Sequence, residues 1–594
     1  SCRATAARAR ALAGSVVVLA LSSSVARAAP GAGTLADPVR VDAFPYVAAD
    51  TTAAAPSNAV DSYDCAPALD ESGPERLYRF ELAAPARVTA WVEGDGGAVD
   101  IDVHLVAGPL GTSGGQATGC VARGNVIAEA ELPAGEGWVA VDSYAGAAQA
   151  GPYVLHLEAI GDAWIDRPVA VGVRWRARRY VDWAGPQVVN ELVVDTSEPD
   201  VSVRAVGAAG CQTVGALGEA IGAVAGVNGG YFGPGCAPVS LLIEDGVLVA
   251  TNGATRGAYG LDAAGGPHIE VVAAGAGWPV ATQAHGGGPV LVAGDTPYQG
   301  AAAWSAQGFT SAGFNGNNPR TTAGYDASGA SHFLAVDGRR ASASGMSLDE
   351  LAAFTHAELG LPEVVNLDGG GSTTLWIAGA TPNGVVNYPS DDPQQELATH
   401  PGSRGVSGGF YVFAPPYNHP PRFQTVPVES ATAGVAYAYD ADAIDLDPGD
   451  AVSFELDVGP TGMEVDAASG VVTYAPTSAS PPSADVTVVA RDDRGAATAQ
   501  SYVLVIAGGL GEGGAGGTGS GAAGQGGSAA AAAPAEPSEA AGCACRMGAA
   551  AAPSARSPRT ALAPWAIAAL GLLALRRARS RPACSHSTRR RDRP

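Results

Sequence analysis

The sequence predicts a multidomain chain in which a mixed α/β central domain stands between two all-β sandwich domains, with a signal peptide ahead and a sorting segment behind. Three observations carry this reading. Runs with polar–apolar alternation of period two, bounded by Gly and Pro, recur on both sides of a central region. Inside that region, residues 347–359 have a helical period and lead directly into an apolar strand. The two ends of the chain abandon both patterns and show the apolar, Gly/Ala-rich and Arg-rich composition of targeting segments and linkers.

Length and charge bound the rest. At 594 residues the chain has room for roughly three or four domains of about 150 residues each. Gly 81 and an aromatic content of 6% favour β-rich modules over long helices. The net charge of -24 excludes a nucleic-acid or phospholipid surface as the main partner, since like charges repel. Lysine is absent, and every fixed base is arginine.

Arg3, Arg8 and Arg10 precede an apolar run over 11–21, and Ala26-Arg27-Ala28 has the small-x-small form of a cleavage site. Residues 1–28 therefore read as a secretory signal, too short to span a bilayer. Export permits disulfides. Cys65 with Cys120 and Cys211 with Cys236 is the economical pairing, one bridge per module, although four cysteines allow three arrangements. Cys543 and Cys545 form a C-x-C with poor zinc spacing.

The first module covers residues 37–160. Alternation over 76–82, 87–92, 99–105, 137–142 and 153–157 marks half-buried strands. With its Tyr78-Arg79-Phe80 strand, Asp100-x-Asp102 strand and late Gly151-Pro152-Tyr153 strand, this region resembles the pre-peptidase C-terminal-type domain. Residues 111–115 fit G-x-S-x-G, but small residues around Ser113 and the lack of a following helix make it a solvated loop rather than a nucleophile elbow. His104 and His156 are expected at the surface.

The central module covers 162–414. Strand-like runs lie at 169–175, 188–194, 201–206, 241–243 and 247–249. In the helical segment Leu348, Leu351, Ala352 and Leu359 share a face, with Ser347 as N-cap and Glu350 completing a capping box. The helix feeds a buried strand over 364–367, which ends on Asp368 and three glycines. Taken alone, that stretch is either a plain turn or a catalytic strand end. Its company favours the second reading. Val227-Asn228-Gly229-Gly230-Tyr231-Phe232, the run from His285-Gly286-Gly287-Gly288-Pro289 to Val292, and that from Asn317-Asn318-Pro319-Arg320-Thr321 to Gly324 likewise set glycine beside a polar or charged residue at the end of an apolar run, as loops converging on a ligand would.

These clusters, taken in order with Asp337-Gly338-Arg339, Ser344-Gly345-Met346-Ser347, the 366–373 turn, Asn387-Tyr388-Pro389 and Arg404, resemble the phosphodiester glycosidase family. The resemblance spans about 190 residues on the family's motif order. Tyr388 between Asn387 and Pro389 departs from the pattern, and the loop 391–400 leaves the placement of Arg404 open.

The resemblance implies a hydrolase that cleaves the glycosidic linkage of sugar-1-phosphodiesters, with a sugar-phosphate or polysaccharide substrate and no required cofactor. The chemistry of such a cleavage assigns roles. Arg320, then Arg404, would neutralise the phosphate, and Asp368 would be the essential carboxylate. Backbone N–H groups of Gly369, Gly370 and Gly371 with the Ser372 and Thr373 hydroxyls would hold phosphate oxygens. Asn228 and Asn387 would bind sugar hydroxyls, with Gly229, Gly287 and Thr321 lining the substrate. The structural alternative has Arg320 in a buried ion pair with Asp368 or Asp337. His285 is expected to cap or pack. A reading from another class is a non-catalytic carbohydrate-binding or adhesion protein of the cell surface.

Residues 415–507 form a third module with short strands at sandwich spacing. Asp445-Leu446-Asp447-Pro448-Gly449-Asp450, Gly459–Met463 and the strand ending on Tyr474 resemble an Ig- or cadherin-like repeat. Asp445, Asp447 and Asp450 are a candidate divalent-cation site for calcium, a solvated acidic turn being the alternative. Residues 508–541 are a Gly/Ala/Ser-rich linker. Within 542–594 a Cys motif, an apolar run over 561–575 and the arginines 576, 577, 579 and 581 resemble the MYXO-CTERM sorting signal, with a permanent membrane anchor as the alternative. Together the ends predict a protein exported to a bacterial outer surface, or secreted, and held to the envelope through its C-terminal segment.

Overall fold

The computed structural model describes residues 31–509, except 54, 95–99, 146–148, 182, 184, 392–402 and 448. Contacts divide the chain into two units, Ser1–Ala515 and Gly516–Pro594. The predicted signal peptide, the sorting segment, Cys543 and Cys545 lie outside the described residues. No described helix is long and apolar enough to cross a membrane.

The described chain is mostly β and built from several groups of sheets. In the first, a six-stranded sheet (Val39–Val41, Arg76–Leu82, Gly135–Ser143, Ile101–Ser113, Gln116–Gly124, Ser62–Tyr63) faces a four-stranded one (Tyr46–Thr51, Pro152–Ile160, Ala86–Gly94, Ile127–Leu132). Alternation puts Tyr78, Phe80, Val103 and Val139 from one sheet against Val88, Ala90, Leu155 and Leu157 from the other in one core. Cys65 and Cys120 are bridged here, at the edge formed by Ser62–Tyr63 and Gln116–Gly124.

Two expectations for this region need correcting. Gly111 to Ser113 is the end of a strand, not a loop; it pairs with Gln116–Thr118 across a tight hairpin. His104 is fully buried rather than exposed, with its ring stacked on Tyr63 at 3.5 Å. Its side of the strand packs beneath the 61–75 segment instead of facing water. Burial and the nearby Arg123 charge hold the imidazole neutral by lowering its pKa well below the usual value.

The central region is more strand-dominated than the α/β expectation. It holds an eight-stranded sheet, a four-stranded sheet and a five-stranded sheet. Helices are short, the longest being Val214–Ile221 and Leu348–Ala357. The second forms as its sequence dictates. Ser347 Oγ accepts from the Glu350 N–H, Glu350 reaches back to the Ser347 N–H, and Leu348, Leu351, Ala352 and Phe354 are buried. The run 169–175, read as one strand, is the hairpin of Ile165–Ala170 and Val173–Tyr180, because Gly172 supplies the left-handed turn residue. Leu192, Phe333 and Val365 of the large sheet meet Val227, Phe410 and Leu375 of the four-stranded sheet and Leu242 and Tyr259 of the five-stranded one. This shared core fixes the sheets rigidly against one another, so the strand ends at one rim keep defined positions.

A third group of small sheets, residues 422–507, closes around Tyr437, Phe454, Val488 and Leu504. A cleft of about 850 Å³ lies between it and the first sandwich, lined by Arg40, Tyr46, Arg422 and Tyr502 among others.

Candidate active site

Strand register brings the sequence clusters together. Arg320–Tyr325 runs antiparallel to Glu363–Asn366 with Thr322 opposite Asn366, so Arg320 and Asp368 leave their strands at the same rim. The contact continues past the strand, with Leu367 N–H on the Thr321 carbonyl at 2.8 Å and Gly370 N–H on that of Pro319 at 2.8 Å. On the four-stranded sheet Val227 lies opposite Leu375, which delivers Asn228 to the other side of the same turn. Gly286–Pro289 links Gln283–Gly286 to Val290–Ala293, and Gly287 is pressed against the Asn366 carbonyl and Leu367.

Asp368 heads a single 3-10 turn, Gly370–Ser372. Its main chain is clamped on both sides: its N–H donates to the Gly229 carbonyl at 3.1 Å and its carbonyl accepts Asn228 Nδ2 at 2.7 Å. Gly370 takes φ 63°, and a Cβ there would come within 2.9 Å of Arg339 Nη2. Glycine is thus required both by the left-handed backbone and by the approach of a guanidinium. Gly229 lies flat on His285, whose ring would be 2.7 Å from a Cβ. Burial lowers the His285 pKa to about 4, so the ring is neutral and packs, with Nε2 hydrogen-bonded to the Gly409 carbonyl at 3.1 Å.

The Asp368 carboxyl is half-buried, and burial raises its pKa to about 6 against a hydrogen bond to Ser372 and the charge of Arg404. Ser372 Oγ also accepts Arg404 Nη1 at 3.2 Å. Arg404 in turn grips Asp391, with Nε on Oδ2 at 2.8 Å and Nη2 on the same oxygen. Arg339 approaches Asp391 from the other side, Nη1 to Oδ1 3.8 Å, and donates to Asn318 Oδ1 at 3.1 Å. The Asp391 carboxylate sits directly against Gly371, where a Cβ would overlap it. Two arginines and a bare glycine turn therefore make a seat for an anion, and a side-chain carboxylate occupies it.

Arg320 is placed differently from either sequence expectation. It is 2% exposed, and among the described residues it makes no ion pair, Glu350 acting on it only through its charge. Nε donates to the Met346 carbonyl at 2.8 Å, and Nη2 to those of Phe314 and Gly316 at 2.7 and 2.6 Å. Burial lowers its pKa to about 10, still charged at neutral pH. Asp337, the other suggested partner, instead pairs with Arg87 of the first sandwich, Nη1 to Oδ2 2.9 Å.

The two asparagines expected to meet sugar hydroxyls serve the framework here. Asn228 Oδ1 accepts Thr321 Oγ1 at 2.8 Å and the Thr374 N–H at 3.0 Å. Asn387 is wholly buried; it accepts the Leu375 N–H at 2.7 Å and donates to the Thr373 carbonyl at 3.1 Å. Thr321 and Thr373 bridge at 3.3 Å between their hydroxyls.

Of the remaining members, Phe309, Phe314 and Arg256 came from no sequence signal, whereas Tyr231 belongs to the 228–232 cluster and the Cys211–Cys236 bridge is the pairing the sequence suggested. Tyr231, Phe309 and Phe314 form an aromatic wall with centroids 5.2–6.5 Å apart, over which Arg256 and Arg320 lie. Tyr231 donates to the Gly288 carbonyl at 2.6 Å beside the cis Gly288–Pro289 peptide. The Cys211–Cys236 bridge closes the segment after Phe232 onto the strand Ser202–Gln212, and Cys211 packs on Gly405 next to Arg404.

Away from this rim, Asp445, Asp447 and Asp450 place one oxygen each within 4.8 Å of one another. Three carboxylates are the right donors for calcium. Arg494 already fills the role of cation, with Nε on Asp450 at 2.6 Å and Nη2 on Asp447, and His419 Nδ1 lies 2.8 Å from Asp447. A calcium ion would have to displace that guanidinium.

Residues 221–413 match the phosphodiester glycosidase family model, and residues 420–507 match an Ig domain family. No curated protein matches the chain. Among solved structures, the catalytic domain of zebrafish N-acetylglucosamine-1-phosphodiester alpha-N-acetylglucosaminidase, auto-inhibited by its pro-peptide, is 20% identical. That match covers 43% of this chain and 88% of the zebrafish one at a TM-score of 0.35. A hypothetical protein from Synechocystis is 14% identical over 57% of this chain and 76% of its own, TM-score 0.36. Residues 221–413 are thus similar to the phosphodiester glycosidases, and residues 420–507 to Ig domains.

Proposed function

We propose that the protein is an exported cell-surface hydrolase that cleaves the glycosidic linkage of sugar-1-phosphodiesters. The observation that carries the reading is the anion seat at Gly371, flanked by Arg404 and Arg339 and adjoining a carboxyl whose pKa lies near 6. A substrate phosphate would take the place of the Asp391 carboxylate, held by the two arginines and the turn. Asp368, ionised above pH 6, would direct water to the anomeric carbon or steady the positive charge that develops there. Arg320 would act from behind, its charge held among backbone carbonyls. The half-exposed wall of Tyr231, Phe309 and Phe314 is a stacking face for a sugar ring. Export rests on the N-terminal pattern; two disulfides and an Ig domain are consistent with an extracellular protein.

The test is hydrolysis of a methyl phosphodiester of a sugar 1-phosphate in ¹⁸O-water. Free sugar carrying the label at C1 is expected; label in the phosphate would exclude glycosidic cleavage. Asp368→Asn should cost about 100-fold or more in kcat. A folded Asp368→Asn variant at near wild-type rate would overturn the assignment, and binding without turnover in the wild type would favour a non-catalytic carbohydrate binder.

A further inference from the structure

One buried arginine connects the first sandwich to the turn that carries Asp368. Arg87 lies on the strand Ala86–Gly94 and is 3% exposed. Its Nη1 donates to Asp337 Oδ2 at 2.9 Å, and its Nη2 donates to the Val386 carbonyl at 2.9 Å. Asp337 follows the strand Ser331–Val336 and is 1% exposed. Its second oxygen accepts the Tyr388 N–H at 2.8 Å and Asn387 Nδ2 at 3.3 Å. Asn387 passes the constraint onward, to the Thr373 carbonyl at 3.1 Å and the Leu375 N–H at 2.7 Å. Thr373 and Leu375 bracket the C-terminal side of the turn whose Ser372 touches Asp368 and Arg404.

Every side chain in this relay is buried, so water cannot replace a missing partner. Burial raises the pKa of Asp337, and the charge of Arg87 is the leading influence against that shift. Without Arg87 the carboxylate would either take up a proton or turn toward solvent, and in both cases its bonds to Tyr388 and Asn387 would change. Ordinary domain packing needs no such route. Apolar contacts would hold the two modules together without reaching the turn.

We infer that Arg87 is a positioning residue for the hydrolytic site: the first sandwich supplies the partner charge that, through Asp337 and Asn387, sets the Gly370–Thr373 turn. The claim that it affects catalysis rests on the hydrolase reading; the claim that it orders the turn does not.

The test uses the full-length protein and the variants Arg87→Met, Arg87→Lys, Asp337→Asn and Arg87→Met with Asp337→Asn. Arg87→Met is expected to lower kcat about tenfold with KM within about twofold, since displacement of a reacting group acts mainly on the chemical step. Arg87→Lys should restore most of the loss. Once Asn stands at 337, losing Arg87 should cost less than about twofold more, because the two act as one unit. Hydrogen exchange is the second readout. The amide of Leu375, bonded to Asn387, should exchange about tenfold faster in Arg87→Met while the sandwich amides of 153–157 keep their protection. If Arg87→Met does not fold, since buried Glu129, 3.8 Å from Arg87, also loses its counter-charge, Asp337→Asn alone carries the test through the same kcat and Leu375 exchange readouts.

Wild-type kcat together with unchanged Leu375 exchange in a folded Arg87→Met protein overturns the inference. So do losses that multiply in the double variant. Should the wild type hydrolyse no sugar-1-phosphodiester, the hydrolase reading fails, and exchange at Leu375 alone decides: faster exchange upholds the relay, unchanged exchange overturns it.

Discussion

Arg404 holds Asp391 through two guanidinium nitrogens on one carboxylate oxygen, and the pair rests against Gly371 at the mouth of the site. Both side chains are partly exposed, so the pair is weak in stability terms, about 1 kcal/mol or less. A phosphate, with more charge and more acceptor oxygens, competes favourably for the same donors. Asp391→Asn should therefore lower KM for a sugar-1-phosphodiester several-fold and strengthen inhibition by inorganic phosphate, with kcat little changed. Initial-rate kinetics with phosphate as inhibitor decide this. A rise in KM would mean that Asp391 serves to hold Arg404 in place, and would sink the idea of an occupied anion seat.

Asn228 sets the Asp368 backbone by donating to its carbonyl while its own oxygen accepts from Thr321 and Thr374. Aspartate at 228 keeps the size and both acceptor bonds but loses the donor, and it adds a buried charge. Asn228→Asp should cost about 1–3 kcal/mol of stability and reduce kcat more than Thr321→Ser, which retains its hydroxyl. Urea denaturation and kcat measured together provide the check. Equal kcat in Asn228→Asp and wild type would show that the clamp is dispensable.

The sequence made the capped helix at 348–357 and the strand after it legible, because capping boxes and apolar runs are local signals. Its motif order also anticipated that Asn228, Gly287, Arg320 and Asp368 share one rim. What it could not show is which polar atoms remain free. Asn387 and Arg320 look like ligand contacts by residue type, yet one is spent on Thr373 and Leu375 and the other on three carbonyls. Register and burial decide that, and neither is written locally. The same holds for His104, whose alternating strand position suggested solvent until the 61–75 segment covered it. Arg87 and Asp337 are 250 residues apart, so no spacing rule joins them.

Asp368 makes a prediction about pH. Burial places its pKa near 6, above the ordinary carboxylate value of about 4. A reaction that needs the ionised form should lose kcat/KM as pH falls through about 6, with a slope of one proton. Arg404 opposes the upward shift, so Arg404→Met should move this acid limb to higher pH as well as weaken phosphate binding. Stability follows the opposite sense. Between about pH 4 and 6 the folded state keeps a proton that the unfolded state has released, so this group's contribution falls as pH rises across that window and is level above it. Asp368→Asn, which cannot ionise, should gain stability relative to wild type across the same interval. A profile in which kcat/KM instead declines above pH 6 would assign Asp368 the role of proton donor.

The acidic turn of the third module gives the last prediction. Arg494 donates to Asp447 and Asp450, and His419 adds a contact to Asp447, so the three clustered carboxylates already have a cation among them. Calcium and the guanidinium compete for the same oxygens. Adding calcium should leave the unfolding temperature of the wild-type protein unchanged, and chelation should not lower it. Arg494→Met removes the internal cation and leaves like charges within 4.8 Å, a destabilising arrangement that a divalent ion relieves. In that variant calcium should raise the unfolding temperature, corresponding to about 2.7 kcal/mol at a hundredfold excess over Kd, whereas magnesium, which demands a tighter octahedral shell, should do less. Calorimetry on both proteins, with and without each ion, makes the comparison. An equal calcium-dependent rise in the wild type would show that Arg494 yields the site to the ion and that the turn is a calcium centre in the native protein.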